Sequence, residues 1–183
     1  MKKIAVHLAE GFEEIEAVSI IDVLRRAEIN VTVVSMTENL HVTGSHGIRV
    51  VADQLFNDIN YDFIDMILLP GGMPGSTNLN NHPGLRKQIL NFYENKKQLG
   101  AICAAPLVFG NLGILKNINA TCYPGFENQL HGAIVTGGNI EVADNIITAK
   151  GAGVAIHFAL KIVELLKGKD LANKLADKMI VAR

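Results

Sequence analysis

The stretches KIAVHL (residues 3–8), EEIEAVSIIDVLRRA (13–27) and VTVVSM (31–36) decide the fold. The outer two are short, apolar and rich in β-branched residues, as strands are; the middle one repeats its apolar residues at helical spacing. A strand, a helix and a strand joined by short links make a parallel pair, because the chain must cross back over the sheet before the second strand begins. The pattern recurs downstream. Residues 65–69 (DMILL) read as a buried central strand that ends in Pro70-Gly71-Gly72. Residues 83–97 read as a helix with Pro83 in its first turn, and 98–102 (QLGAI) as a strand that runs into Cys103. A short helix over 105–110, a strand over 145–149, a long apolar helix over 152–166 and a last helix over 171–176 complete the set. Between them, residues 36–53, with Gly44 and Gly47, suggest a small hairpin-like excursion. Residues 117–144 are turn-rich, with short strands around Ala120, Ile134 and Val142. Neither an internal repeat nor a linker is visible. The prediction is one domain over residues 1–183. It is a three-layer α/β sandwich around an open, mostly parallel sheet, with its ligand site at the carboxyl ends of the strands.

Composition narrows the function classes. A chain of 183 residues suits one hydrophobic core. Its 17 Lys and Arg nearly cancel 18 Asp and Glu, so neither a basic nucleic-acid footprint nor a polybasic membrane patch is expected. With 49% apolar and 19% charged residues the balance is opposite to that of disordered chains. Two cysteines do not make a secreted disulfide scaffold. The apolar run from Ile4 to Ala9 is broken by His7 and stopped by Glu10, too short for a signal segment, and no window reaches the length of a membrane span. The expectation is a cytoplasmic protein with reduced cysteines. No P-loop and no GxGxxG follows the first strand, so no nucleotide and no other cofactor is expected.

Chemistry concentrates at Cys103. In Leu99-Gly100-Ala101-Ile102-Cys103-Ala104-Ala105-Pro106 a strand hands over to a helix within a residue or two, with the cysteine on the turn. Small residues stand on both sides, Ala101 and Ala105, as a nucleophile elbow needs where neighbouring backbones come close. A helix start aimed at Cys103 would favour thiolate over thiol. The plain alternative is a buried core cysteine. Gly71 and Gly72 end a neighbouring strand, and paired glycines let backbone N–H groups approach an anion. The amides of Gly72 and Ala104 are therefore candidates for an oxyanion hole.

The helix over 13–27 carries a second signal. Projected at about 100° per residue, Ile20, Val23, Leu24 and Ala27 define an apolar arc, and Glu16 falls inside it at about 300°. A carboxylate there needs a partner, and burial raises its pKa. A protonated Glu16 is suited to donate to a Cys103 thiolate and to move protons; a Glu in the first turn also suits helix capping, and periodicity leaves both open. Glu13 projects onto the same arc but can fray outward at the helix start. No histidine and cysteine pair has metal-ligand spacing, so no metal site is expected. His7 and His157 read as core or interface residues, and His46 and His131 as loop residues with open roles. Cys122, in Thr121-Cys122-Tyr123-Pro124, reads as a small buried hydrophobe.

Four segments together resemble the ThiJ/PfpI superfamily, and within it the branch of the parkinsonism-associated deglycase and its bacterial YajL-like relatives. They are Glu13-Glu14-Ile15-Glu16 with residues 22–27, Leu69-Pro70-Gly71-Gly72, residues 101–106, and Lys150-Gly151-Ala152-Gly153. The resemblance runs nearly end to end. It implies a flavodoxin-like fold and a homodimer through the first helix, with Ile15, Ile20 and Arg25 or Arg26 contributing. It implies that Cys103 is the reactive, oxidisable cysteine, Glu16 its protonated partner, and Gly72 and Ala104 the anion-binding amides. Gly71, Cys122 and Tyr123 would line the pocket. Other branches place a His directly after the cysteine; Ala104 stands here, against a peptidase or amidase. Tyr123 stands where the human-type protein has a pocket His, and His46 where the family's hairpin has an Arg, which puts an ion pair there in question.

The implied activity is cofactor-independent. It is conversion of methylglyoxal or glyoxal to hydroxy acids, or removal of early glycation adducts from proteins, under oxidative and carbonyl stress. The alternative is a redox-sensing stress protein or chaperone that uses an oxidisable Cys103, since a sulfinate there suits a neighbouring acid.

Overall fold

The computed structural model describes residues 2–182. In chain order the strands and α-helices begin with β1 (Lys3–Leu8), α1 (Glu14–Arg26), β2 (Asn30–Ser35), β3 (His41–Thr43), β4 (Arg49–Val51) and β5 (Gln54–Leu55). They continue with β6 (Met66–Leu69), α2 (Gly75–Asn81), α3 (Pro83–Glu94), β7 (Gln98–Ile102), α4 (Pro106–Asn111), β8 (Asn119–Ala120) and β9 (Ile134–Val135). The last are β10 (Ile140–Ala143), β11 (Ile146–Ala149), α5 (Ala155–Lys167) and α6 (Lys169–Lys178).

The main sheet runs β10-β11-β7-β6-β1-β2-β5. Every neighbouring pair is parallel except β10 and β11. Side chains alternate across each strand. Ile4, Val6 and Leu8 of β1 and Met66 and Leu68 of β6 join one core with Ile20, Val23 and Leu24 of α1 and Phe158 and Ile162 of α5. Ala5, Ile67 and Leu69 point the other way, into a second core with Leu85, Ile89 and Phe92 of α3 and Leu107 of α4. A sheet buried on both faces explains why the central strands read as unbroken apolar runs.

The 36–53 excursion is the antiparallel hairpin β3–β4, paired His41 with Val51. Two differences from the sequence reading stand out. Helix α2 was not foreseen. Its sequence, GSTNLNN, is poor in helix formers apart from Leu79, and burial of Gly75, Ser76 and Leu79 overrides that preference. Helix α5 starts at Ala155, three residues late, because residues 152–154 form a 3-10 turn after Gly151. None of the described helices is long and apolar enough to cross a membrane.

Candidate active site

Cys103 follows the last residue of β7, with φ of +64°. That left-handed conformation costs an L-residue about 1–3 kcal/mol, and it is what turns the side chain out of the strand. Two backbone bonds fix the turn: Cys103 N–H donates to the Ala149 carbonyl at 2.9 Å, and Tyr123 N–H donates to the Cys103 carbonyl at 2.8 Å. The backbone amides of Ala104 and Gly72 face the sulfur closely enough to favour its charged form. Gly72 has φ of +90°, which a glycine adopts freely. Gly71 must be small for a different reason. A Cβ there would lie 2.6 Å from Cys103 Cβ and 2.8 Å from Glu16 Oε2.

Glu16 is fully buried. Its Oε2 accepts the Gly71 N–H at 2.7 Å, and its Oε1 has no conventional hydrogen-bond partner. The capping alternative is settled against it, because Glu13 takes that role and accepts the Glu16 N–H at 2.7 Å. Glu13 therefore does not fray outward. Burial pushes the Glu16 carboxyl up to about 7, opposed by the Gly71 N–H and by the Cys103 side chain.

The thiol moves opposite to the sequence expectation. Burial first, then the charge and hydrogen bond of Glu16, push Cys103 up to about 12, against the pull of the Ala104 and Gly72 amides. Helix α4 does not reverse this; it starts at Pro106 and is only six residues long. The two groups titrate as one pair. Burial and mutual repulsion hold the first proton above the ordinary carboxylate range and the second above the ordinary thiol range. While one proton remains on the pair, a Cys103 thiolate exists only when Glu16 holds it.

The other candidates separate clearly. Tyr123 is half exposed and walls a cavity of about 330 Å³ with Pro124, Lys150 and residues 151–154. Cys122 is buried in the second core and, like Gly71 and Cys103, is not among the residues that line that cavity; burial pushes its thiol up to about 11. Lys150 and residues 151–154 were noticed in the sequence as a motif but not as a wall. The signal available was a Gly-Ala-Gly run ahead of an apolar helix.

His7 is buried with Nε2 2.8 Å from the Tyr61 hydroxyl, and burial pushes it down to about 3. His157 is not a core residue; it is exposed, with Nε2 2.9 Å from the Ala182 carbonyl. His131 is exposed as well. His46 keeps an ion pair after all, with Nδ1 2.8 Å from Glu14 Oε2. Glu13, Glu14 and His46 bring ligand atoms within 4.8 Å of one another. The Glu14 oxygens are already engaged by the N–H groups of His46 and Ile48, by the Ser45 hydroxyl and by the His46 ring. The cluster is thus a hydrogen-bonded clasp.

On α1, Ile15 is 60% exposed, whereas Ile20 is completely buried, so Ile20 is a core residue and not an interface one. Arg25 pairs with Asp53 at 2.9 Å and Arg26 with Asp22 at 2.6 Å, both on the surface.

A family model described as the DJ-1/PfpI family matches residues 2–165. Protein DJ-1 homolog B of Arabidopsis thaliana is 38% identical over 182 residues, 98% of this chain and 42% of that protein. This chain therefore spans under half the length of that relative. A protein of Caenorhabditis elegans named glutathione-independent glyoxalase DJR-1.2 is 34% identical, over 95% of this chain and 93% of its own. Among solved structures, the oxidized DJ-1 of Toxoplasma gondii superposes with a TM-score of 0.95 at 37% identity, covering both chains completely. The flavodoxin-like α/β architecture is shared with it. The chain belongs to the DJ-1/PfpI family.

Proposed function

We propose that this chain is a cysteine-dependent, cofactor-independent glyoxalase acting on small α-oxoaldehydes, with early glycation adducts as further substrates. The observation that carries the reading is the convergence on one sulfur of two backbone amides and a buried acid whose burial favours its protonated form. With Glu16 protonated, the Cys103 thiolate adds to the aldehyde carbon and forms a hemithioacetal. The oxygen that gains charge lies with the Gly72 and Ala104 amides; one such donor is worth about 10²–10³ in rate. Glu16 gives its proton to that oxygen and, now a carboxylate, takes the C–H proton of the former aldehyde carbon and returns it to the adjacent ketone carbon, while the hydroxyl proton passes to the second oxygen, which leaves the thioester of a hydroxy acid. Water cleaves the thioester to a hydroxy acid and returns the thiol. No electrons leave the substrate, since one carbon is oxidised as its neighbour is reduced. The nematode relative named glutathione-independent glyoxalase supports this chemistry.

The exposed Ile15 and Val18 of α1, with Ile156 of α5 nearby, suit a homodimer through the first helix. A mass near twice that of one chain in sedimentation supports this, and a monomer at micromolar concentration refutes it.

The test of the activity is lactate formed from methylglyoxal without glutathione, counted per chain, for wild type and Cys103→Ser. Many lactates per chain, abolished by the substitution, support the enzyme. Consumption of no more than one aldehyde per thiol, with no lactate, refutes it and leaves Cys103 as an aldehyde trap or an oxidation sensor.

A further inference from the structure

The cavity walled by Tyr123 and residues 150–154 is larger than a three-carbon aldehyde needs. At about 330 Å³ it falls in the lower part of the range of small-molecule sites. Both its walls grow out of the segments that hold Cys103. One wall begins at Tyr123, whose N–H donates to the Cys103 carbonyl. The other follows Ala149, whose carbonyl accepts the Cys103 N–H. Both walls are thus tied through backbone hydrogen bonds to the turn that carries Cys103, although Cys103 itself does not line the cavity.

Its lining is mostly apolar. Tyr123, Pro124, Ala152 and Val154 supply side chains, and Gly151 and Gly153 supply bare backbone. The Tyr123 ring rests against Gly151, where a Cβ would come within 3.3 Å of Cδ2. Ring and backbone thus form a firm flat wall, yet Tyr123 remains 51% exposed. Lys150 is the charged residue on the rim. Its Nζ donates to the Gly137 carbonyl at 3.1 Å, and its N–H to the Asn139 carbonyl at 3.0 Å, so it braces the neighbouring turn. An exposed aromatic face one backbone hydrogen bond from the Cys103 turn, in an apolar recess whose cation is engaged, fits a flat uncharged group.

Resting on the glyoxalase reading above, we propose that this cavity is a subsite for the substituent on the substrate's ketone carbon. Tyr123 is its specificity-determining residue, and the preferred substrates are α-oxoaldehydes with an aromatic substituent, such as aryl glyoxals, over methylglyoxal. When Sγ bonds to the aldehyde carbon, the ketone carbon and its substituent extend away from the sulfur. A methyl group leaves the recess unfilled, whereas a phenyl ring stacks on Tyr123. Phenylglyoxal and water give mandelate and a proton: the S–C bond forms, the hydrogen on the aldehyde carbon passes as a proton to the ketone carbon, and water breaks the S–C bond of the thioester. Atoms and electrons balance without an oxidant.

The experiment compares kcat/KM for phenylglyoxal and methylglyoxal in wild type, Tyr123→Ala and Tyr123→Phe. Wild type should favour phenylglyoxal by about tenfold, the size of one good aromatic contact. Tyr123→Ala should erase that preference, phenylglyoxal losing about tenfold more than methylglyoxal, and Tyr123→Phe should keep it, since the ring and not the hydroxyl makes the contact. A wild-type preference for methylglyoxal, or a preference untouched by Tyr123→Ala, overturns the subsite and leaves the glyoxalase standing. A Tyr123→Phe variant that behaves like Tyr123→Ala overturns the stacking role. If wild type turns over neither aldehyde, the glyoxalase reading falls, and the subsite with it.

Discussion

Glu14 and Glu16 lie two residues apart in the first turn of α1, and both are buried, yet they end in opposite states. Glu14 is held down to about 2: burial would raise it, but the His46 ring and the N–H groups of His46 and Ile48 outweigh burial. Glu16 is pushed up to about 7, because the Gly71 N–H and the Cys103 side chain do not offset its burial. The difference is one of supply. The hairpin loop delivers backbone and side-chain donors to Glu14, while Glu16 receives one backbone N–H and faces a thiol. A carboxylate with several donors is structural, and one with few keeps a proton available for chemistry.

The sharpest way to break this contrast is to make the same exchange at both positions. Glu16→Gln removes the proton carrier and should lower glyoxalase turnover by about 10²–10⁴-fold, the usual range for a general acid–base group. Glu14→Gln should spare most of it. The wild-type pH profile of kcat/KM should also rise through about 7, as the pair sheds its first proton, and that inflection should vanish in Glu16→Gln. Equal losses at the two positions would mean that Glu16 acts only by packing.

Stability should move the other way. The folded pKa of Glu16 lies above its unfolded value of 4.5, so the folded state binds the extra proton and loses stability as pH rises from about 4.5 to 7. At pH 8, Glu16→Gln should therefore be more stable than wild type by roughly 2–3 kcal/mol, and near pH 4 the gain should disappear. Gln still accepts the Gly71 N–H. Glu14 has the opposite sign. Its folded pKa lies below the unfolded one, so its contribution is present above about 4.5 and lost as pH falls toward 2. Glu14→Gln should cost about 1–3 kcal/mol at pH 7, since hydrogen bonds to a charged acceptor are replaced by weaker ones. Urea unfolding at pH 4, 6 and 8 reads both signs, and a Glu16→Gln that is destabilised at pH 8 contradicts the buried-proton account.

The sequence could place Glu16 and not Glu14, and the reason is physical. Helical periodicity reports which residues share a face, so Glu16 stood out among Val23 and Ala27. At about 100° per residue Glu14 falls off that arc, on the polar side, where solvent is the default. What buries Glu14 is the hairpin β3–β4, more than twenty-five residues away in sequence, and periodicity carries no such information. The elbow at Cys103 was legible because its small neighbours record a local steric demand. The direction of the thiol's shift was not, because it depends on a carboxylate delivered by another element. Helix α2 was missed for a like reason, since packing at Ser76 and Leu79 outweighs the six poor helix formers around Leu79.

The smallest expected effect lies in the clasp itself. The hydrogen bond and the charge of Glu14 raise His46 above its ordinary 6.5, although its side chain is 70% exposed. The ion-pair part of the clasp is therefore complete below 6.5 and fades as pH rises through the raised value. The backbone N–H groups of His46 and Ile48 do not titrate and keep Glu14 in place at any pH above its own range. His46→Gln should thus change stability little, by an amount seen at pH 6 and lost by pH 9. The direct check is the His46 titration followed by NMR. Its midpoint should lie above 6.5 in the wild type and return toward 6.5 in Glu14→Gln. A midpoint equal in both proteins would mean that the ring does not sense Glu14, and would leave the backbone donors alone to explain why this glutamate, and not its neighbour, stays ionised.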